Sequence, residues 1–238
     1  MVKPQKETKK EINPDWKNIF KNLEKWRKEI LSLPGAENTA IEAVASECRP
    51  DNEKAWAVLV STIISLRTKD DVTRVASKRL LEKAPNPKKL LKLKTEEIEN
   101  LIYPAGFYHT KTKSLKSIAV ILIEKYDGLV PADMEKLLSL PGVGRKTANL
   151  VLTEAFNMYG ICVDIHVHRI CNRAGWLESK TPEKTEIRLR EILPKSFWKR
   201  INGLLVFYGQ NICRPVSPFC SRCVISDFCE KKGIYRKR

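Results

Sequence analysis

The sequence predicts an all-α fold built from many short helices. Glycine is scarce, at 10 of 238 residues, and runs of alternating apolar and polar residues are almost absent. Apolar residues instead recur near the 3.6-residue spacing of a helix, and prolines separate these periodic segments. Residues 54–66 could form a buried strand on periodicity alone. Because helical segments flank them and no partner strand is evident, we interpret them as a core helix.

The first predicted helix spans residues 15–33, where Trp16, Ile19, Leu23 and other apolar side chains share one face. No internal repeat or long linker interrupts the segments that follow. The further predicted helices cover residues 37–47, 54–66, 70–83, 95–103, 111–126, 132–139, 145–158, 165–174, 181–193 and 196–209.

The composition points to an anionic partner. Lys and Arg number 44 against 28 Asp and Glu, a formal net charge of +16. Nucleic acid is the most common partner of so positive a surface. The longest nearly apolar stretch, residues 55–64, is too short to cross a bilayer, so we expect no membrane partner. Residues 1–13 lack the apolar core of a secretory signal and read as a basic N-terminal tail.

The most informative local pattern is LLSLPGVGRKTANL at residues 137–150. Gly142 and Gly144 allow backbone conformations closed to other residues and a close approach to a ligand, and Val143 would anchor the turn inward. Arg145 opens the next helix, whose free N–H groups favour an anion such as a DNA phosphate. Isolated GxG turns also occur as plain helix joints, but the whole string favours DNA binding.

Four of the seven cysteines lie near the end of the sequence, spaced Cys213-x6-Cys220-x2-Cys223-x5-Cys229. Without a secretion signal, this cluster indicates a metal site rather than disulfides. Zinc modules usually bring two close pairs of ligands, and only one such pair occurs here. Four thiolates can equally hold an iron–sulfur cluster, so the spacing alone leaves both open. We expect the other three, Cys48, Cys162 and Cys171, to be small buried hydrophobic residues.

An aspartate stands just before a predicted helix in VDIHVHR, residues 163–169. Asp164 could be a simple N-cap, a position that favours aspartate. Together with the hairpin string and the cysteine spacing, however, this segment resembles the endonuclease III family of DNA repair glycosylases. The resemblance covers about residues 27–231 and implies a helix-hairpin-helix DNA glycosylase fold.

The resemblance implies that Lys146 is the nucleophile, that Asp164 is the second catalytic residue, and that the four cysteines hold a [4Fe–4S] cluster. A primary amine can attack the sugar carbon C1′, displace a damaged base and form a Schiff base. An exposed lysine is almost fully protonated at neutral pH, so the site must favour the neutral amine. The carboxylate of Asp164 would stabilise the positive charge that develops on the sugar. We interpret His166 as a structural or proton-relay residue and His168 as a satisfied surface histidine.

A base inside a duplex must be extruded before its sugar can react, and the vacated space must be filled. The family pattern places Phe107, in GFYHTK, as the apolar wedge. It places Arg67, in SLRTKD, where the family usually has a glutamine facing the orphaned base. A guanidinium can donate to guanine O6 and N7, so we expect an opposite guanine to be tolerated or preferred. Arg214, between the first two cysteines, is expected to contact phosphates.

The family fold also implies a six-helix domain at residues 48–158. Residues 14–47 and 159–238 would join as a helical iron–sulfur cluster domain, with the lesion site in the cleft between the two domains. We expect the protein to act as a monomer on double-stranded DNA containing damaged pyrimidines or abasic sites. We also expect it to be cytoplasmic and nucleoid-associated, in a cell of prokaryotic type.

The predicted activity is that of a bifunctional DNA glycosylase of base excision repair. It would remove oxidised pyrimidines and cleave the abasic site by β-elimination through a lysine Schiff base. One alternative is a monofunctional mismatch or adenine glycosylase of the same superfamily, in which a non-nucleophile replaces the lysine. Another is a non-catalytic DNA-binding iron–sulfur protein, which would not need both Lys146 and Asp164 at family positions.

Overall fold

The structure, a computed structural model, describes residues 14–47 and 49–238 and confirms the all-α prediction. Twelve α-helices and three short 3-10 helices form this part of the chain, which contains no strand. None of these helices combines the length and apolar character needed to cross a membrane. The predicted tail at residues 1–13 and Cys48 lie outside the described residues.

The α-helices alternate with short connections along the chain. Their bounds are α1 Trp16–Leu31, α2 Ala40–Ser46, α3 Asp51–Ser65, α4 Asp70–Lys83, α5 Pro87–Leu90, α6 Thr95–Ile102, α7 Tyr108–Tyr126, α8 Met134–Leu138, α9 Arg145–Glu154, α10 Ile165–Ala174, α11 Pro182–Ile192 and α12 Trp198–Asn211. The 3-10 helices are Lys195–Phe197, Cys220–Arg222 and Ser226–Phe228.

The observed helices follow the predicted segments, with differences at some ends. The bounds of α4 and α10 agree with the prediction at both ends. Helix α9 stops at Glu154 rather than at residue 158, because Asn157 adopts a left-handed conformation with φ of 53°. Helix α5 was not predicted. It begins where the side chain of Asn86 accepts a hydrogen bond from the Lys89 amide and Pro87 fills the first helical position.

A first core, formed by helices α2 to α9, has α3 at its centre. Helix α3 packs against α2, α4, α7 and α9, and its residues 55–60 are all buried. The indole of Trp56 donates a hydrogen bond to the carbonyl of Ala84 at 3.0 Å, which satisfies the one polar atom of this fully buried ring. Three buried side chains of α2, which are Ile41, Val44 and Ala45, belong to this core. The packing of α2 therefore differs from the predicted grouping of residues 14–47 with the C-terminal segment.

A second core joins the two ends of the described chain. Helix α1 packs on α12, which packs on α10, and α10 packs on α11. The indole of Trp16 in α1 donates to the carbonyl of Ile192 at 2.9 Å. The indole of Trp176, after α10, donates to the carbonyl of Phe228 at 2.8 Å, which attaches the segment that carries the last cysteines. Each core therefore buries its own set of side chains, and a cleft lies where the two meet.

Candidate active site

A cleft of about 480 Å³ brings together three of the residues predicted to act on DNA: Lys146, Asp164 and Arg67. Its wall includes Leu150 of the first core and Val163 of the second. It is also lined by Thr39, Ile41, Glu42, Ser65, Leu66, Thr68, Asp70, Glu154, Ile165, His166, Pro182, Glu183, Asn202, Val206 and Gln210.

Lys146 is the second residue of α9 and lies directly after the hairpin turn. Its side chain is half-buried and makes no hydrogen bond or ion pair with any residue that the structure describes. Residues 146, 150 and 154 recur at four-residue spacing and line the cleft from the same face of α9. The amine therefore lies at the cleft without an ion pair to any carboxylate that the structure describes.

Asp164 is at once the N-cap of α10 and part of the cleft wall. Its Oδ1 accepts hydrogen bonds from the amides of His166 at 2.8 Å and Val167 at 2.9 Å. Its Oδ2 accepts no hydrogen bond from the described residues, and the side chain is 8% exposed. One oxygen thus fixes the carboxylate at the helix start, and the other is free for a ligand in the cleft.

The two histidines of this segment have protein partners. Burial lowers the pKa of His166, partly opposed by the carboxylate of Asp164, and the guanidinium of Arg169 lies 3.1 Å from His166 Nδ1. Burial therefore favours the neutral imidazole of His166. His168 is half-buried, and its Nδ1 lies 2.6 Å from the hydroxyl of Thr185. It is a satisfied histidine, as predicted, although it lies deeper than the surface.

The hairpin turn at residues 141–144 needs a glycine at one position rather than two. Gly142 has φ of +79°, which disfavours any side chain, whereas Gly144 has φ of −98° in extended backbone. The expectation of a special backbone conformation at both glycines was therefore wrong for Gly144. A Cβ built on Gly144 would meet no atom within 4 Å, so this glycine leaves the main chain open on its outer side. Val143 is buried, as predicted.

Arg145, predicted to contact DNA, is bound to a buried acid of the protein. Its Nη2 and Nε lie 2.8 and 3.2 Å from the two carboxylate oxygens of Glu186, which is 4% exposed. Arg190 donates to Glu186 Oε1 from the other side, at 3.0 and 3.1 Å. Glu186 raises the pKa of Arg145. The acid therefore fixes the start of α9, and with it Lys146, against α11.

The predicted wedge and the predicted reader of the opposite base are neighbours in space. Both Arg67 and Phe107 adopt left-handed backbone conformations, with φ of 52° and 57°. The Arg67 guanidinium lies 5.4 Å from the centroid of the Phe107 ring, which is 61% exposed. The structure therefore presents a cation and an exposed aromatic side by side at the rim of the cleft.

The four C-terminal cysteines, which are Cys213, Cys220, Cys223 and Cys229, line one small cavity. The guanidinium of Arg173 donates to Cys213 Sγ at 3.3 Å. In the part of the chain that the structure describes, no three His, Cys, Asp or Glu side chains converge closely enough for a single metal ion. Cys162 and Cys171 are buried, as predicted.

A cationic surface lies beside the cysteines. Arg214 is exposed, and its guanidinium lies 5.1 Å from the centroid of the Phe219 ring. Arg222 and Arg238 lie 5.6 and 5.2 Å from the same centroid. Three guanidinium groups around one ring would attract a phosphate backbone.

Sequence reasoning missed three charged side chains near the cleft: Lys111, Glu154 and Glu186. Lys111 is 6% exposed although it is a lysine. Burial, aided by the like charge of Glu42, raises the pKa of Glu154 to about 7. No motif includes the two glutamates. Lys111 ends the GFYHTK string, but nothing in that string shows that its amine is buried.

Comparisons with known proteins agree with this geometry. Residues 60–195 match the family model of the HhH-GPD superfamily base excision DNA repair protein. Endonuclease III of Thermotoga maritima is 46% identical over 192 residues, which are 79% of this chain and 89% of that protein. Endonuclease III homolog 2, chloroplastic, of Arabidopsis thaliana is 42% identical over 87% of this chain and 57% of that protein. The solved structure of a trapped endonuclease III–DNA covalent intermediate has a TM-score of 0.74 at 30% identity, covering 90% of this chain and 95% of that chain.

Two helical cores around a cleft, with a helix-hairpin-helix at its edge, define a DNA-binding enzyme of base excision repair. Within that class, the two relatives compared above are both named as endonuclease III proteins. Their sequence identity to this chain extends over 79% and 87% of its length. The chain belongs to the endonuclease III family, and its activity is that of a DNA glycosylase and abasic-site lyase.

Proposed function

We propose that the protein removes oxidised pyrimidines from double-stranded DNA and then cleaves the abasic strand, with Lys146 as the nucleophile and Asp164 as its partner. The observation that carries this proposal is the cleft itself. It holds a lysine that makes no hydrogen bond or ion pair with the described residues, and a carboxylate with one free oxygen. The relative trapped as a covalent intermediate with DNA supports a mechanism through a covalent enzyme–DNA bond.

The chemistry begins with the neutral amine of Lys146. Its lone pair attacks C1′ of the extruded nucleotide, and the bond from C1′ to the base breaks, so that the base leaves with the bonding electrons and takes up a proton. After Nζ loses a proton, its lone pair breaks the bond from C1′ to the ring oxygen, which takes up a proton, and a protonated Schiff base forms between Nζ and C1′. Loss of a C2′ proton then expels the 3′ phosphate by β-elimination, and water releases the lysine.

Asp164 has the electrostatic role in this scheme. Positive charge develops on the sugar as the base leaves and remains on the protonated Schiff base. Because two backbone amides hold Oδ1, the carboxylate is fixed before the reaction and needs no reorganisation. The free Oδ2 can also accept the proton that Nζ must lose once it has bonded to C1′.

We propose that the four cysteines hold a [4Fe–4S] cluster. All four thiols line one small cavity, and four thiolates in one short segment are a ligand set that such a cluster uses, as the family resemblance implies. When bound, the cluster would fix the 213–229 segment, and with it the cationic surface around Phe219, against the phosphate backbone.

The other proposed DNA contacts are made by groups at the surface of the protein. We propose that Phe107 fills the gap left by the extruded nucleotide and that Arg67 faces the orphaned base. The hairpin residues Gly142 and Gly144 would present main-chain N–H groups to a phosphate, whereas the amide of Val143 donates to the carbonyl of Leu140 at 3.1 Å. Direct contact of Arg145 with DNA stays a prediction, as do the monomeric state and the cytoplasmic, nucleoid-associated location.

Borohydride trapping tests the proposed function. Wild-type protein incubated with duplex DNA containing an abasic site should form a covalent adduct, because borohydride reduces the Schiff base. Lys146→Gln should abolish the adduct, whereas Lys184→Gln, at an exposed lysine of α11, should leave it unchanged. If the wild-type protein released the damaged base from a lesion-containing duplex but formed no adduct, it would instead be a monofunctional glycosylase. Iron and sulfide analysis of the purified protein tests the cluster separately.

A further inference from the structure

Lys111, in the first turn of α7, is a buried cation without a counter-charge. Its side chain is 6% exposed, and no carboxylate in residues 14–47 or 49–238 pairs with it. The ammonium donates instead to the carbonyl of Ile64 at 2.6 Å and to the hydroxyl of Thr68 at 2.7 Å. Burial lowers the pKa of Lys111 to about 8. A buried amine is costly unless hydrogen bonds satisfy it, and these two bonds satisfy the amine of Lys111.

These bonds connect two turns that are distant in sequence. Thr68 belongs to the turn after α3, and its hydroxyl also accepts a hydrogen bond from the amide of Gly106, at 3.1 Å, in the turn before α7. The same two turns touch directly. A Cβ on Gly106 would lie 2.5 Å from the carbonyl oxygen of Arg67, a distance that real Cβ atoms essentially never show.

Each turn ends in one of the exposed side chains at the rim of the cleft. Arg67 precedes Thr68 and Phe107 follows Gly106, and both have left-handed backbones that are unfavourable for residues other than glycine. Such conformations persist only where the surrounding structure enforces them. The bonds from Lys111 supply that enforcement at the base of both turns and keep the Arg67 guanidinium near the Phe107 ring.

We propose that Lys111 is a positioning residue that holds the Arg67 turn and the Phe107 turn together, so that the wedge and the opposite-base reader enter the duplex as one unit. This inference rests on the proposed function, in which those two side chains replace the extruded nucleotide. It predicts that Lys111 matters for substrates that have an opposite strand and matters little for the amine chemistry at Lys146.

The test compares Lys111→Met, which keeps the length of the side chain but removes its donors, with Lys113→Met at an exposed position of the same helix. Single-turnover base excision is measured on thymine glycol duplexes with each of the four bases opposite the lesion. Borohydride trapping is measured on single-stranded abasic DNA. Lys111→Met should slow duplex excision roughly 10- to 100-fold, since small misplacements of positioning groups have effects of that size. It should also make the excision rates similar for the four opposite bases. Borohydride trapping on single-stranded abasic DNA should be unchanged.

Thr68→Val provides a second variant, because it removes the shared hydroxyl without changing side-chain size and leaves the buried amine in place. It should produce the same split between duplex and single-stranded substrates. Unchanged duplex rates and unchanged opposite-base ratios in both variants would overturn the inference, as would an equal loss on both substrates. If the wild-type protein itself forms no adduct, the proposed function fails instead, so the two failures are distinguishable.

Discussion

Replacing Glu154 with glutamine should stabilise the protein in mildly alkaline solution and change it little in acid. Glu154 ends α9 at the cleft, and its carboxyl makes no hydrogen bond with the described residues. Burial, together with the like charge of Glu42, raises its pKa from 4.5 to about 7, and Lys54 and Arg27 compensate only in part.

The magnitude follows from the pKa difference between the unfolded and folded states. Below pH 4.5 the carboxyl is protonated in both states and the shift has no effect on stability. As the pH rises from 4.5 towards 7, the unfolded chain loses its proton first, so ionisation increasingly favours unfolding. Each unit of pKa corresponds to 1.36 kcal/mol. The cost of ionised Glu154 is therefore about 1 kcal/mol at pH 5 and about 3 kcal/mol at pH 8.

Thermal unfolding followed by circular dichroism measures this cost. A domain of this size gains about 2–4 °C per kcal/mol, so Glu154→Gln should raise Tm by roughly 6–12 °C at pH 8 and by only about 2–4 °C at pH 5. Glu82→Gln, at an exposed position of α4, is the matched control and should give a small shift that does not depend on pH. Equal shifts of the Glu154 variant at both pH values, or a lower Tm at pH 8, would refute the reasoning.

Three further substitutions test the hairpin and its support. Gly142→Ala should lower stability by about 1–2 kcal/mol, because φ of +79° disfavours a side chain, and a Tm equal to that of wild type would contradict this. Gly144→Ala should leave Tm unchanged, since its backbone is extended and the added methyl group meets no neighbour. It should nevertheless weaken duplex binding in fluorescence anisotropy if the main chain meets a phosphate there. Glu186→Gln should lower stability by about 2–3 kcal/mol. That is less than the loss of a fully buried ion pair, because both partners, Arg145 and Arg190, are partly exposed. An unchanged melting curve would show that this acid does not fix the start of α9.

Helices with clear end signals could be predicted from the sequence. Helix α4 has two aspartates in its first turn and Lys83 in its last, and α10 begins at the cap Asp164 and ends at Gly175, whose φ is +76°. Helix α5 was missed because the prolines at 85 and 87 read as a joint, although Asn86 followed by a proline is itself a helix-start signal.

Some residues of the candidate site could likewise be predicted from the sequence, and others could not. Lys146, Asp164 and the four cysteines lie in short strings whose spacing is visible along the chain, and the structure brings the first two to one cleft and the cysteines to one cavity. The roles of Lys111 and Glu186 depend on partners far away in sequence, 47 residues between Lys111 and Ile64 and 41 between Glu186 and Arg145. Helical periodicity cannot show which charged side chain such a partner will cover.

The pairing of α1 with α12 has a consequence for synthesis on the ribosome. The apolar face of α1, with Trp16, Phe20 and Trp26, leaves the ribosome before α12, the helix that covers it. The α2–α9 core is contiguous and can close while the chain is still growing. A nascent chain that has not yet reached α12 would therefore display the hairpin without the cleft wall that α12 supplies.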